Sequence, residues 1–250
     1  MKIVLSPAKR MSAGKFPADE IVSRLPMVGR TNELVAFLKQ CTPEELGRIL
    51  SLSGNAVGAA ELLYSRFGSG MNKPEKALFA FTGTAFTALD PRSFSEADLL
   101  FAQEHLRIFS GLYGLLRPMD GIEPYRLDVG DRLKLDEYKN LYDFWRDDIN
   151  RFLIEEGQHE LIFNLASEEY FKLIDPARFA SNSILTLSFK EFRNGKLKAV
   201  SPAVKRARGL MARYIIQHQI LDRESVKMFD EDNYLFSPDH SSETEYVFIR

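Results

Sequence analysis

One cysteine, Cys41, and one tryptophan, Trp145, are all that 250 residues contain of either type. A lone cysteine cannot pair within the chain, which excludes a disulfide scaffold and fits a reducing compartment, the cytoplasm. Long apolar runs are missing too. Nothing approaches the ~20 residues a membrane helix needs, and the start from Met1 to Pro7 has too short an apolar stretch for a signal peptide. An excess of one charge is also lacking: 33 basic against 35 acidic side chains leave a formal net charge of −2. That excludes a uniformly basic polyanion binder but permits a localised basic surface. With 45% hydrophobic and 27% charged residues, the chain is neither disordered nor fibrous, and it is long enough to bury a substantial core.

The common catalytic signatures are absent as well. There is no Gly-x-Gly-x-x-Gly, no Walker loop and no Gly-x-Ser-x-Gly elbow. The four histidines, His105, His159, His218 and His240, are not paired at metal-ligand spacing. Glu156-Gly157-Gln158-His159 imitates one Glu-x-x-His, but Gly157 interrupts the helix that motif needs and no second copy exists. Neither a metal nor a cofactor is expected.

What is present reads as one domain spanning 1–250, without repeats or low-complexity linkers. Strands are expected at Lys2–Leu5, Ala77–Phe81, Leu161–Leu165, Tyr234–Ser237 and Tyr246–Ile249. Ile184–Phe192 and Lys196–Val200 flank Arg193-Asn194-Gly195, a hairpin signal. Helices are expected over Thr31–Gln40, from the capping box Thr42-Pro43-Glu44-Glu45 to about Leu50, and over Ala56–Phe67. Others run from Glu96, capped by Ser95, to about Ile108, over Leu141–Glu156, over Glu168–Ile174 behind the Ser167 cap, and from Pro202 to about Ile220. Ser110 to Gly121 is glycine-rich and irregular. The irregular interleaving predicts α+β, a mixed sheet with surrounding helices, rather than a doubly wound fold.

Three kinds of signal carry candidate chemistry. In the helix from Pro202, Val204, Ala207, Leu210, Met211, Tyr214 and Ile215 fall on one side at about 100° per residue. Lys205, Arg206, Arg208 and Arg213 fall on the other, with Gly209 and Ala212 among them, so that an anionic backbone could approach closely. The alternative is a solvated helix face partnered by carboxylates such as those of Asp230-Glu231-Asp232. Ser6-Pro7-Ala8-Lys9-Arg10 follows the first strand, where a lysine can hold phosphate or act as an amine nucleophile; an ordinary exposed loop is the alternative. Asn164 to Lys172 repeats that placement, a buried strand leading into polar residues at a helix start. The segment Gly54-Asn55-Ala56-Val57-Gly58-Ala59-Ala60 resembles a helix-hairpin-helix turn, with Asn55 and Ala56 in place of the apolar residue and second glycine of that motif. Phe109 to Gly114 is a rival for the same role, and a plain helix-linking turn is the alternative for both.

Taken in order, several stretches resemble the YaaA family of bacterial peroxide-stress proteins: Ser6-Pro7-Ala8-Lys9, Phe94–Asp98, Gln103–Arg107, Ser110–Asp120, Pro124-Tyr125-Arg126-Leu127, Leu141–Trp145, Asn164–Phe171 and Lys205–Arg213. The resemblance spans nearly the whole chain. It implies a single-domain α/β fold with a helix-hairpin-helix element and a positively charged cleft. It also implies a cytosolic protein that binds duplex DNA, distorted duplex included, and limits peroxide damage associated with intracellular iron. Under that reading Ser6, Lys9, Arg10, Arg117, Arg126, Asn164, Ser167, Lys172, Lys205, Arg206, Arg208, Gly209 and Arg213 are candidate phosphate-binding residues. Gly54, Asn55, Ala56, Gly58 and Ala60 are the helix-hairpin-helix candidates. No recognition-helix pattern is visible, so backbone and shape recognition is expected. The alternatives are an enzyme acting on a nucleobase or nucleotide with Lys9 as nucleophile or phosphate clamp, and an iron-binding protein, which the scattered ligands disfavour.

Overall fold

The computed structural model describes residues 1–12, 25–135, 137–157 and 161–250. In chain order the strands begin with β1 (Lys2–Leu5), β2 (Glu75–Lys76), β3 (Leu106–Ser110), β4 (Gly114–Leu116) and β5 (Gly121–Ile122). They continue with β6 (Ile162–Leu165), β7 (Ile184–Arg193), β8 (Lys196–Lys198), β9 (Leu235–Phe236) and β10 (Glu245–Ile249). The first helices are α1 (Val28–Gln40), α2 (Pro43–Ile49), α3 (Asn55–Arg66), α4 (Ala77–Ala80) and α5 (Thr84–Leu89). Then come α6 (Glu96–His105), α7 (Leu141–Gly157), α8 (Glu168–Phe171) and α9 (Ser201–Gln217).

An unbroken apolar run such as Ile3-Val4-Leu5 has no face to offer water, and a strand made of it must be covered on both sides. All three residues are almost wholly buried. β1 accordingly lies inside the sheet, parallel to β3 on one edge and to β6 on the other, with Leu5 level with Ile108 and with Leu165. The order is β4-β3-β1-β6-β7-β10-β9, with β8 pairing the far end of β7. The pairings from β3 through β10 are parallel, and β4, β8 and β9 add antiparallel edges. This is the expected mixed sheet, although its core is more parallel than an α+β reading implies. α6 packs on β1 and β3, α9 on β7, and the two helices touch.

The local signals that proved informative are those with a hydrogen bond behind them. Thr42 and Glu45 form a reciprocal capping box at α2, and Ser95 and Asp98 do the same at α6. Asn194 and Gly195 both take positive φ, which is what a two-residue hairpin turn between β7 and β8 requires.

Two expectations are overturned. Ala77–Phe81 is not a strand: Ala77–Ala80 forms the single turn α4, and the amides of Ala77 and Leu78 donate to the carbonyls of Asp120 and Pro118 instead of to a ladder. A short buried apolar run fits either conformation, and here tertiary partners decide. The helix expected to reach Ile108 stops at His105, and Leu106–Ser110, buried at every position, is the strand β3 between β4 and β1. The chain passes from α6 into β3 at Leu106 with no glycine or proline to mark the change. The irregular stretch from Ser110 likewise contains β4 and β5.

A third correction concerns α9. Gly209 and Ala212 are buried rather than set among the cations on an open face. α9 crosses α5 so closely that a Cβ at Gly209 would lie 2.0 Å from the Ala85 carbonyl oxygen. Backbone on both sides has no rotamer through which to relax. Alanine at this position gains ~1 kcal/mol of helix propensity, but overpacking of this kind costs about 1–3 kcal/mol or more. Gly209→Ala is therefore expected to lower the melting temperature; an equal or higher value would contradict the α5–α9 contact.

Candidate functional site

Pro7 has no N–H to continue a ladder, so the chain leaves the sheet directly after Leu5. The same happens after Leu165, where Ser167 caps α8 through its hydroxyl and the Tyr170 amide. The two exits are clasped together. The Ser6 hydroxyl donates to Ser167 Oγ at 3.2 Å and accepts from the Ser167 amide at 2.8 Å. With the segments 82–87 and 125–128 and one side of α9, these loops enclose a cleft of about 890 Å³.

The cleft lies at the carboxyl ends of β1 and β6. From β1 the chain builds β3 and β4 on one side, then returns to build β6 and β7 on the other. Such a divergence of connections opens a crevice above a parallel sheet, the usual ligand position in folds of this kind.

The cleft wall is basic. Lys9, Arg10 and Arg126 reach it from the loops and Lys205, Arg206 and Arg208 from α9, against the carboxylates of Asp128 and Glu169. Lys9 Nζ stands 3.2 Å from Asp128, while Arg206 stands 3.4 Å from Asp232, which Arg250 also holds. Lys9 and Arg206 are more than half exposed, so each pair contributes at most about 1 kcal/mol and can be exchanged for a phosphate. Arg208 is different: its Nε is shielded from water and has no hydrogen-bond partner among the described residues. Burial pushes its guanidinium below the ordinary value, with the Glu168 charge acting in the opposite direction. Leaving such a donor unsatisfied costs roughly 1–3 kcal/mol.

Beneath Lys9 sits an acidic group that no sequence motif marks. The Tyr170 hydroxyl donates to Asp128, and the Asp128 amide donates to Asp131 at 2.7 Å. Burial raises the Asp131 carboxyl; burial and the charge of Asp128 raise that of Glu169 and the Tyr170 phenol. Titrating groups displaced this way inside a cleft are a mark of function. The available signal was Asp128 itself, one residue beyond Pro124–Leu127, in Leu127-Asp128-Val129-Gly130-Asp131.

Of the residues singled out from the sequence, Ser6, Lys9, Arg10, Arg126, Ser167, Lys205, Arg206 and Arg208 line the cleft, and five do not. Asn164 is buried in the sheet, donating to Thr186 Oγ1 and accepting from the Ala166 amide. Arg213 donates to Asp90, Ser93 and the Leu89 carbonyl, holding the end of α5. Lys172 is exposed away from the cleft and its carbonyl accepts from Arg146. Gly209 faces α5. Arg117 pairs with Glu156, which also takes Arg107 at 2.6 Å. Gly54 at the start of α3 and Asn55, Ala56 and Gly58 in its first turns are exposed, Ala60 is buried, and none of the five lines the cleft. Gln158 and His159, the end of the imitation Glu-x-x-His, lie outside the described residues. Among the described residues no group of three or more His, Cys, Asp or Glu is arranged to hold a metal ion.

A family model described as peroxide stress protein YaaA matches residues 1–240. The chain belongs to that family. It is 38% identical over 253 residues to a UPF0246 protein of Acaryochloris marina, with all of both chains covered. It is 39% identical to UPF0246 proteins of Shewanella oneidensis and Ralstonia pickettii, over 259 and 255 residues, covering all of this chain and 99% of theirs. No helix among the described residues of this YaaA-family chain is long and apolar enough to cross a membrane.

Glu156 provides the clearest electrostatic test of the structure around Arg117. Burial pushes its carboxyl up, but the hydrogen bond and charge of Arg107, joined by Arg117, outweigh that and hold it below the ordinary 4.5. A carboxyl depressed by folding stabilises the protein above its unfolded value and ceases to do so as pH falls through the folded one. Glu156→Gln also strands the buried Arg107 charge, at a cost of about 3 kcal/mol near neutral pH. The melting temperatures of wild type and variant should differ most at neutral pH and converge in acid. A constant difference would mean that the ion pair is not its source.

Proposed function

We propose that this YaaA-family protein acts under peroxide stress in the cytoplasm by binding duplex DNA, bulged or damaged duplex included, through the basic cleft, and so limits oxidative damage associated with intracellular iron. The observation that carries the reading is the concentration of six cations at one crevice of a chain whose net charge is −2. Phosphates supply the matching charge, and neutralising them releases counterions. The cleft presents loops and one helix flank rather than a protruding recognition helix, which suits contact with backbone and shape more than with base edges. In the same reading α2, α3 and the turn between them act as the helix-hairpin-helix element, with the exposed segment Gly54–Gly58 touching the backbone beyond the cleft.

Lys9, Arg10, Lys205 and Arg206 are the exposed cleft cations. About four phosphate contacts imply a slope near −3.6 for log affinity against log salt. Duplex binding titrated from low to physiological salt should show that slope, and Lys205→Ala with Arg206→Ala should reduce it by about two units. Affinity indifferent to salt would sink the reading. Lys9→Arg distinguishes it from an enzyme acting on a nucleobase or nucleotide, which the Lys9–Asp128–Tyr170 contacts favour. Arginine retains a phosphate clamp, whereas it cannot stand in for an amine nucleophile.

A further inference from the structure

Arg208 sets a requirement that exposed cations do not. Lys205 and Arg206, on the same helix, are open to water, which solvates them. Arg208 is half-buried in the cleft wall, its Nε lacks an acceptor, and no described carboxylate lies within ion-pair distance. The Gly209–Ala85 contact at the adjoining residue fixes α9 against α5 and so sets where the Arg208 backbone stands. The Nε–H left in this state calls for an acceptor that the described residues do not supply. The guanidinium's planar fork of donors matches a carboxylate or a phosphate.

Two features of the cleft select phosphate with more attached. Six cations against two carboxylates leave more positive charge than one carboxylate ligand would match. The volume of about 890 Å³ belongs to the roughly 300–1,000 Å³ class that encloses a small organic ligand. That is far more than a bare phosphate occupies, yet it is no room for the stacked interior of a double helix. The wall includes apolar surface from Pro7, Met11 and Leu127, against which an unstacked base can lie.

Resting on the reading of the cleft as a phosphate site, we infer that it seats a single nucleotide, with the phosphate on the Arg208 guanidinium and the base against the apolar wall. That nucleotide has two possible sources with the same chemistry: a free mononucleotide, or one extruded from a DNA strand lying across the mouth of the cleft.

The full-length protein is titrated with deoxynucleoside monophosphates, the corresponding nucleosides and inorganic phosphate. The monophosphates should bind at least about tenfold more tightly than either fragment, and Arg208→Gln should lose that advantage. The variant should melt no lower than wild type, because Arg208 Nε has no partner to lose. Should it fail to fold, Arg208→Lys, which keeps the charge without the fork, carries the same comparison. A second arm uses a duplex with one unpaired fluorescent purine analogue whose emission rises on unstacking. A rise with wild type but not with Arg208→Gln assigns the site to an extruded nucleotide. An Arg208-dependent mononucleotide affinity without that rise assigns it to the free ligand. Binding of neither form that depends on Arg208, or inorganic phosphate bound as tightly as the nucleotide, overturns the inference. A fully paired duplex, run alongside, separates the two claims. Salt-dependent duplex binding indifferent to Arg208 leaves the DNA reading standing while the inference falls, and nucleotide binding without duplex binding does the reverse.

Discussion

The parallel pairing of β1 on both of its edges is the constraint from which the rest of the molecule follows. It places the short strand β1 inside the sheet, with Leu165, the last residue of β6, level with Leu5 and β3 running two residues further. Both exits from the sheet at Leu5 and Leu165 therefore open on one side, where the Ser6–Ser167 hydrogen bonds tie them together. Lys9 and Arg10 are carried to the cleft because they follow β1 by a few residues, and Glu169 and Tyr170 because they follow β6. If β1 were an edge strand, its covering neighbour would be lost and these two loops would have no reason to meet.

The opposite wall depends on a different kind of contact. α9 approaches α5 within backbone distance because Gly209 has no side chain, and that approach fixes where Lys205, Arg206 and Arg208 stand. The cations divide into two physical classes. Lys9 and Arg206 are themselves exposed, so their pairings with Asp128 and Asp232 can be exchanged for a phosphate at little cost. Arg208 has none and is poorly hydrated, so a ligand anion gains most there. Asp128 and Glu169 put negative charge on the Tyr170 side of the cleft, and burial, with the Asp128 charge behind it, raises the Glu169 carboxyl there.

Much of this was legible in residues whose local chemistry has one outcome. Thr42 and Ser95 announce helix starts through caps, Asn194-Gly195 announces a hairpin, and the polar segments that follow β1 and β6 mark themselves as strand exits. What could not be read is what depends on long-range partners. Ala77–Ala80 is a helical turn because the carbonyls of Pro118 and Asp120, far along the chain, accept the amides of Leu78 and Ala77. Helical periodicity in α9 separated apolar from cationic residues correctly but could not show that α5 would cover Gly209, or that Arg213 would be occupied by Asp90 and Ser93. Arg117 and Asn164 carried the same residue types as true cleft residues and were bound into ion-pair and sheet contacts instead. Asp128 escaped notice because a lone aspartate in a loop carries no pattern of its own.

The central claim is that the wall formed by the loop after β1 and by α9 is the surface that meets DNA. Lysine acylation read by mass spectrometry, with and without a duplex at low salt, tests it residue by residue. The account predicts that DNA protects Lys9 and Lys205 from the reagent, while Lys39 and Lys139, which do not line the cleft, react as before. Equal reactivity of Lys9 and Lys205 in the two states, under conditions where the duplex is bound, would contradict it.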